Sequence, residues 1–554
     1  MKPTTTPAGE PAGNPGGKRT QGGSVAFVGA GPGDPGLLTV RAIELLGAAD
    51  VVVLDALTRE QVLGHCRADA EVVEGTLGVD GESLSQATRI KRVIEPAKAG
   101  LSVVRVIDGD PAVDGGSGGR FVAEVSACAK AHIRFEIVPG VPRATGVPIY
   151  AGLPLVTDRV REVRVVDVRG LPADWSLLAA GDATLVLLGG YESLGEMARD
   201  LVAAGRKPTT PVVVTRSGTT TDQRTVVTTL ERVVADLKAA KFPAEAGRDT
   251  VVVVGEVAHH REVVSWFETK PLFGWRVLVP RTKQQAGPLS GRLRAYGAVP
   301  SEVPTISVEP PRTPQQMERA VKGLVTGRYE WVAFTSTNAV KAVRERFEEY
   351  GLDARAFSGI KVAAVGEQTS KALTDWGIKP DLVPTGEQSA AGLLDDWPPY
   401  DPVFDPIDRV FLPRADIATE TLVAGLVDLG WQVDDVTAYR TVRAAPPPAE
   451  TREAIKTGRF DAVLFTSSST VRNLVGIAGK PHSSTVIACI GPQTAKTAEE
   501  HGLRVDVMAP EPAVAELADA LAEYGVSRRL AALEAGEPVA RPSERRSAAR
   551  RKAK

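Results

Sequence analysis

Short, unbroken apolar runs recur along this chain, and most stop at glycine or at hydroxyl residues. In the second half, Trp331–Phe334 (WVAF) ends at Thr335 and Ser336, and Ala462–Phe465 (AVLF) ends at Thr466 and Ser467. Apolar runs of that length without alternation suit parallel strands buried on both faces. The first half shows the same habit at Ala49–Asp55 (ADVVVLD), Val103–Ile107 (VVRVI) and Val251–Val257 (VVVVGEV). Val25–Leu38 (VAFVGAGPGDPGLL) runs from a strand through a Gly/Pro loop into a helix that should begin near Leu38. The pattern predicts an α/β protein built on parallel sheets.

The second half is also duplicated. Glu330–Val340 (EWVAFTSTNAV) is answered by Phe460–Val471 (FDAVLFTSSSTV), and Lys361–Gly377 by Val486–Gly502. Arg276–Arg281 (RVLVPR) is answered by Arg409–Arg414 (RVFLPR), so the pieces run A, B, A′, B′. Two similar lobes facing each other make a cleft, and clefts bind large ligands. The hydroxyls after the strands can cap the following helices or present O–H and N–H groups to an anion, and both readings stand at this point. Gly366 and Gly491, in the loops VGEQT and IGPQT, should allow tight turns there.

These residues resemble uroporphyrinogen-III synthase, from about Phe273 to about Leu521. The likeness rests on Pro280–Arg281, FTSTNAV, the VGEQT and IGPQT loops, Ala438–Thr441 (AYRT) and the order of the blocks. It implies two α/β lobes, one of about 273–304 plus 443–525 and one of about 309–438. Thr305–Val308 and Tyr439–Val442 would be the crossing strands between them. The implied substrate, hydroxymethylbilane, carries eight carboxylates and needs many donors around an apolar floor. The implied donors are Arg281, Thr335, Ser336, Asn338, Gly366, Thr369, Arg414, Thr466, Ser467, Ser468, Gly491 and Thr494. Tyr439 matches the family tyrosine placed near the leaving hydroxyl. The implied chemistry needs no metal or redox cofactor.

The first half resembles the uroporphyrinogen-III C-methyltransferase branch of the tetrapyrrole methylases, from about Gly23 to Glu268. It matches through the runs above together with Val138–Val141 (VPGV), Ala151–Val156 (AGLPLV) and Ala203–Arg224. Its loop is not a dinucleotide fingerprint, because Asp34 holds the third glycine position, which disfavours a nucleotide-dependent oxidoreductase. The resemblance implies two α/β lobes with S-adenosylmethionine between them. It would be bound near Pro32, Asp55, Gly109, Asp110 and Val113, with Arg105 toward the tetrapyrrole and uroporphyrinogen III as methyl acceptor. Four departures predict weakened affinity for that cofactor. Glu74–Val79 (EGTLGV) lacks the family's Lys-Arg pair, Asp108 replaces glycine, Pro142–Arg143 replace small hydroxyls, and Gly189 replaces methionine. Asp108 should repel the cofactor's carboxylate.

Composition adds boundaries rather than chemistry. A chain of 554 residues exceeds one domain of ~100–200 residues. A net charge of −2 gives no general pull toward nucleic acid or membrane. Three dispersed cysteines form neither metal spacing nor a disulfide framework, which fits a reducing, cytoplasmic setting. We expect a disordered tail over 1–23, a methylase-like domain over 24–268, a synthase domain over 269–525 and a basic tail over 526–554. A homodimer through the methylase-like domain would fit the resemblance. The expectation is a synthase fused to a methylase-like domain of weakened cofactor binding. The competing readings are a fully bifunctional enzyme making precorrin-2 for sirohaem or cobalamin, and a non-catalytic tetrapyrrole-binding regulator.

Overall fold

The computed structural model describes residues 22–55, 58–77, 82–114, 120–168, 174–242, 249–281 and 283–544. Residues 1–21 of the tail expected over 1–23, part of the EGTLGV stretch and the last residues of the basic tail lie outside these. The chain divides into two compact units, Met1–Gly274 and Trp275–Lys554.

The first unit holds two sheets. Strands β1 (Ser24–Gly29), β2 (Val51–Leu54), β3 (Glu71–Glu74), β4 (Ser102–Ile107) and β5 (Arg134–Val138) pair in the order β3-β2-β4-β1-β5. Every pairing in this sheet is parallel. Phe27, Val52, Leu54 and Val106 are wholly buried, as expected of apolar runs covered on both faces. The second sheet contains β6 (Val163–Asp167), β7 (Thr184–Leu188), β8 (Pro211–Arg216), β9 (Arg224–Thr229) and β10 (Thr250–Val254), in the order β6-β7-β10-β8-β9. It is mixed, since β10 runs antiparallel to both β7 and β8. The helix after the Gly/Pro loop starts at Val40 rather than Leu38, because the Thr39 hydroxyl caps it.

The second unit also holds two sheets, and the chain weaves between them. Its strands are β11 (Arg276–Val279), β12 (Val299–Glu302), β13 (Ile306–Glu309), β14 (Trp331–Phe334), β15 (Lys361–Ala364), β16 (Arg409–Ala415), β17 (Gln432–Arg443), β18 (Ala462–Phe465), β19 (Val486–Cys489) and β20 (Val507–Met508). The sheet orders are β12-β11-β18-β19-β20 and β13-β17-β16-β14-β15. Repeat A therefore pairs with B′, and A′ with B. The long β17 runs parallel to β16 and then antiparallel to β13, where Ser307 faces Val442 and Val308 faces Thr441.

Two boundaries differ from expectation. Glu268 accepts from Gln223 and Thr225 and pairs with Arg261, and the Phe267 ring lies 5.2 Å from Phe273. These ties hold the chain on the first unit past the expected domain edge at Glu268, and the division between Gly274 and Trp275 falls within the hinge expected over Glu268–Trp275. The expected basic tail from 526 instead begins inside a helix, since Val514–Glu534 runs nine residues into it with Ala532 buried. Asp519 anchors that helix through Arg292 and the Tyr296 hydroxyl. Further on, the Ser543 N–H donates to Asp461 at 2.9 Å. No helix among the described residues is long and apolar enough to cross a membrane.

Candidate functional site

Tyr439 sits where β17 changes partners. Arg414 faces Thr437, but Ala415 already faces Tyr439, so Ala438 is an extra residue opposite this step. Such a bulge re-aims the side chains beside it. Tyr439 belongs to the same buried cluster as Phe334, Phe411 and Val436, and is only 7% exposed. Its hydroxyl lies 3.0 Å from Ser336 Oγ, at the carboxyl end of β14. Ser336 also caps the helix Thr337–Glu349 by accepting from the Ala339 N–H at 3.1 Å. A serine oxygen that already accepts one N–H can give its own proton to the tyrosine. The tyrosine proton is then available to a ligand. Nothing in the sequence pattern couples these two residues, which are 103 positions apart.

The duplicate loop differs at this point. Ser467 caps Ser468–Ala478 in a reciprocal capping box with Thr470, and its hydroxyl lies 2.9 Å from Ser469 instead of a tyrosine. Ser468 donates to the Gln493 carbonyl and receives from Thr497, joining two helices. The caps are thus the serines. Thr335, Thr466 and Asn338 are half-buried beside them, and Thr369 and Thr494 are buried in the first turns of their helices. Gly366 and Gly491 do not make the expected turns. Both are extended N-caps, at φ −159° and −179°, a conformation open to any residue. A Cβ on Gly491 would meet nothing closer than 4.0 Å, whereas one on Gly366 would stand 3.2 Å from Gln388 Oε1.

Arg414 requires correction. Its guanidinium donates to Asp435 at 2.6 Å, to the Thr419 carbonyl at 2.6 Å and to Glu420 at 2.9 Å. A buried cation satisfied on all sides braces its own lobe and is removed from the ligand contacts. Its counterpart Arg281 is half-buried after β11, and that burial lowers its pKa.

In the first unit, the loops after β1, β4 and β5 converge at the carboxyl edge of the parallel sheet, where open α/β sheets take ligands. Gly31 and Gly109 bridge each other through both N–H groups and both have positive φ. The Asp110 carboxylate accepts from the N–H groups of Ala112, Val113 and Gly140, so it builds the loop. Pro32 packs beside Gly146, and Val113 is 43% exposed. Arg105 is buried and paired with Asp55 at 2.8 Å and Glu124 at 3.1 Å. That pairing commits the buried Arg105 to its own sheet, while Asp55 stays a quarter exposed beside it. The Asp108 expectation also changes: its carboxylate is not unpaired but accepts from Arg143 at 2.6 Å. Gly189 and Gly190 are consecutive left-handed residues, at φ 78° and 71°, which explains why no methionine stands at 189. Pro32, Gly109 and Asp110 keep the loop that the resemblance implies for the methyl donor, but the Asp108–Arg143 pair does not fit it, since Asp108 would face the donor's own carboxylate.

Comparison with known proteins covers both units. The family model of uroporphyrinogen-III synthase HemD matches residues 287–519, and that of tetrapyrrole (corrin/porphyrin) methylases matches residues 24–234. The porphyrin biosynthesis protein HemD of Ruminiclostridium josui is 31% identical over 518 residues, 91% of this chain and 98% of that protein. The uroporphyrinogen-III C-methyltransferase of Bacillus subtilis is 32% identical over 371 residues, 65% of this chain and 74% of that protein. Among solved structures, a Thermus thermophilus uroporphyrin-III C-methyltransferase complexed with S-adenosyl homocysteine is 31% identical. It matches 43% of this chain and 99% of its own, with a TM-score of 0.35.

Proposed function

Because the chain belongs to the HemD porphyrin-biosynthesis family, with a tetrapyrrole methylase module ahead of a uroporphyrinogen-III synthase module, we propose that its second unit closes hydroxymethylbilane to uroporphyrinogen III. The observation that carries this reading is the Tyr439 hydroxyl, aimed by a bulge and held by a helix-capping serine at a strand end. The reaction begins with loss of the bilane's terminal hydroxyl as water. Tyr439 donates a proton to that oxygen as the C–O bond breaks, a role typically worth ~10²–10⁴-fold. The substituted carbon of ring D then attacks the freed methylene. The spiro intermediate opens and recloses with ring D inverted, and loss of a ring proton restores the charge. The sequence is a dehydration with no net electron transfer.

Thr335, Ser336, Asn338, Thr466, Ser467, Ser468 and Arg281 border the strand ends where the carboxylates would dock. Helix N-termini after β14, β15, β18 and β19 add N–H donors suited to anions. Much of the acceleration would come from holding a curled bilane so that its ends meet. Free cysteines Cys66, Cys128 and Cys489 support a cytoplasmic setting. The test is ring orientation in the product: isomer III supports the reading, and isomer I alone, the uncatalysed outcome, removes it.

A further inference from the structure

Two of the sequence departures in the first unit meet in space. Arg143 begins the helix Arg143–Tyr150 and is only 7% exposed. Its Nη1 donates to Asp108 Oδ2 at 2.6 Å, and its Nη2 lies 3.5 Å from Asp249 Oδ1. Asp108 follows β4 of the first sheet, whereas Asp249 precedes β10 of the second. One guanidinium therefore joins the two lobes across the crevice at the sheet's ligand edge.

The neighbours fix it there. Ser217 donates to the other oxygen of Asp249 at 2.7 Å. The Arg143 backbone N–H donates to Asp114 at 3.0 Å, and the same carboxylate receives the Asp110 N–H at 2.9 Å. A second brace lies alongside, on the loop after β1. The Asp34 N–H donates to Thr219 at 2.9 Å, and the Tyr150 hydroxyl donates to Asp34 at 2.8 Å. A Cβ on Gly33 would stand 2.7 Å from Thr220, so the two loops are already in contact.

We propose that Arg143, bridging Asp108 and Asp249, is an internal latch that closes the interlobe crevice of the methylase-like unit against S-adenosylmethionine. The proposal rests on the methylase family assignment and is independent of the synthase reading. A buried arginine is costly without its carboxylates, while Asp108 and Asp249, 24% and 32% exposed, keep part of their solvation. The changes at 108 and 143 are therefore one feature. The latch fills with side chain and fixed charge the edge where backbone glycines would otherwise meet a ligand. A donor would have to break both ion pairs and face Asp108 with its own carboxylate. The unit then serves the chain as a closed scaffold.

The test is calorimetric titration of the full chain with S-adenosylmethionine and S-adenosylhomocysteine. The wild type should show no saturable heat at millimolar ligand. The double variant Asp108→Gly with Arg143→Ser should bind at least roughly tenfold more tightly than the detection limit set by the wild type. Micromolar binding by the wild type overturns the latch. So does a double variant that keeps its circular dichroism and melting transition yet binds nothing. Should that variant not fold, Asp108→Asn and Arg143→Gln provide a double-mutant cycle in urea unfolding. The double variant should lose less stability than the sum of the singles, and strict additivity overturns the latch.

Discussion

Replacing Tyr439 with Phe removes one oxygen from the site and leaves the packed ring in place. The bulge that aims the ring is made by backbone, and the ring remains among Phe334, Phe411 and Val436. The structural cost is one hydrogen bond to Ser336, net about 0.5–1.5 kcal/mol of stability. The catalytic cost should be larger. If the hydroxyl protonates the leaving oxygen, turnover should fall roughly 10–10³-fold, or about 1.4–4 kcal/mol on the barrier. KM should change little, because the bilane's carboxylates are held elsewhere. Ser336→Ala should give part of the same loss, since it frees the tyrosine to rotate. It also removes a cap, at about 1 kcal/mol of stability. Ser336→Thr keeps a hydroxyl and should recover turnover. Stopped-flow consumption of freshly made hydroxymethylbilane measures both constants, and a urea titration measures stability. Unchanged turnover in the Phe variant, with the expected small loss of stability, would refute the proton-donor role and leave orientation as the whole of the catalysis.

Arg414→Leu should lower stability by roughly 2 kcal/mol, below the range for fully buried pairs because Asp435 and Glu420 are 36% and 76% exposed. It should leave KM for the bilane near wild type, and a KM rise without loss of melting temperature would return Arg414 to the substrate contacts. Burial pushes the Asp114 carboxyl up to about 6, so the folded state holds this proton more tightly than the unfolded chain does. Its contribution to stability is greatest below the unfolded pKa near 4 and is lost as pH rises through 6. The difference is at most about 2–3 kcal/mol. Asp114→Asn should flatten that slope in unfolding titrations between these pH values, and an unchanged slope would rule out this carboxyl as its source. Burial also raises the Cys128 thiol to about 11 and Cys489 to about 12, so both should resist thiol reagents at pH 8 until the chain unfolds. Rapid labelling of either in the native protein would contradict that.

The fold class was legible because its signals are local. Four-residue apolar runs ending in Thr-Ser mark buried parallel strands, whereas Val251–Val254 before Gly255 is buried but antiparallel to both neighbours, and the likeness to the synthase family implied which strands share a sheet. Tyr439 was reachable through its likeness to a family, but its partner was not. The Ser336 contact depends on a bulge at Ala438 that no pattern announces. Charge partners were the least legible. Arg414 was read as a cation at a strand end, yet Asp435 and Glu420 surround it only once β16 and β17 are paired. Asp108 was read only as a repulsive charge, because Arg143 is 35 residues away and Asp249 precedes a strand of another sheet. Gly366 and Gly491 show the opposite error, where a glycine invites a conformational explanation and the backbone is merely extended. The helix past residue 525 was missed because basic and alanine-rich sequence there resembles a solvated tail, while its buried face is thin.

The product isomer formed by the full chain tests the central claim most directly. Fresh hydroxymethylbilane is incubated with increasing amounts of protein, the product is oxidised, and the porphyrin isomers are separated. The account predicts that isomer III rises with protein until it displaces the spontaneous isomer I. A ratio that stays at isomer I whatever the amount of folded protein would contradict it.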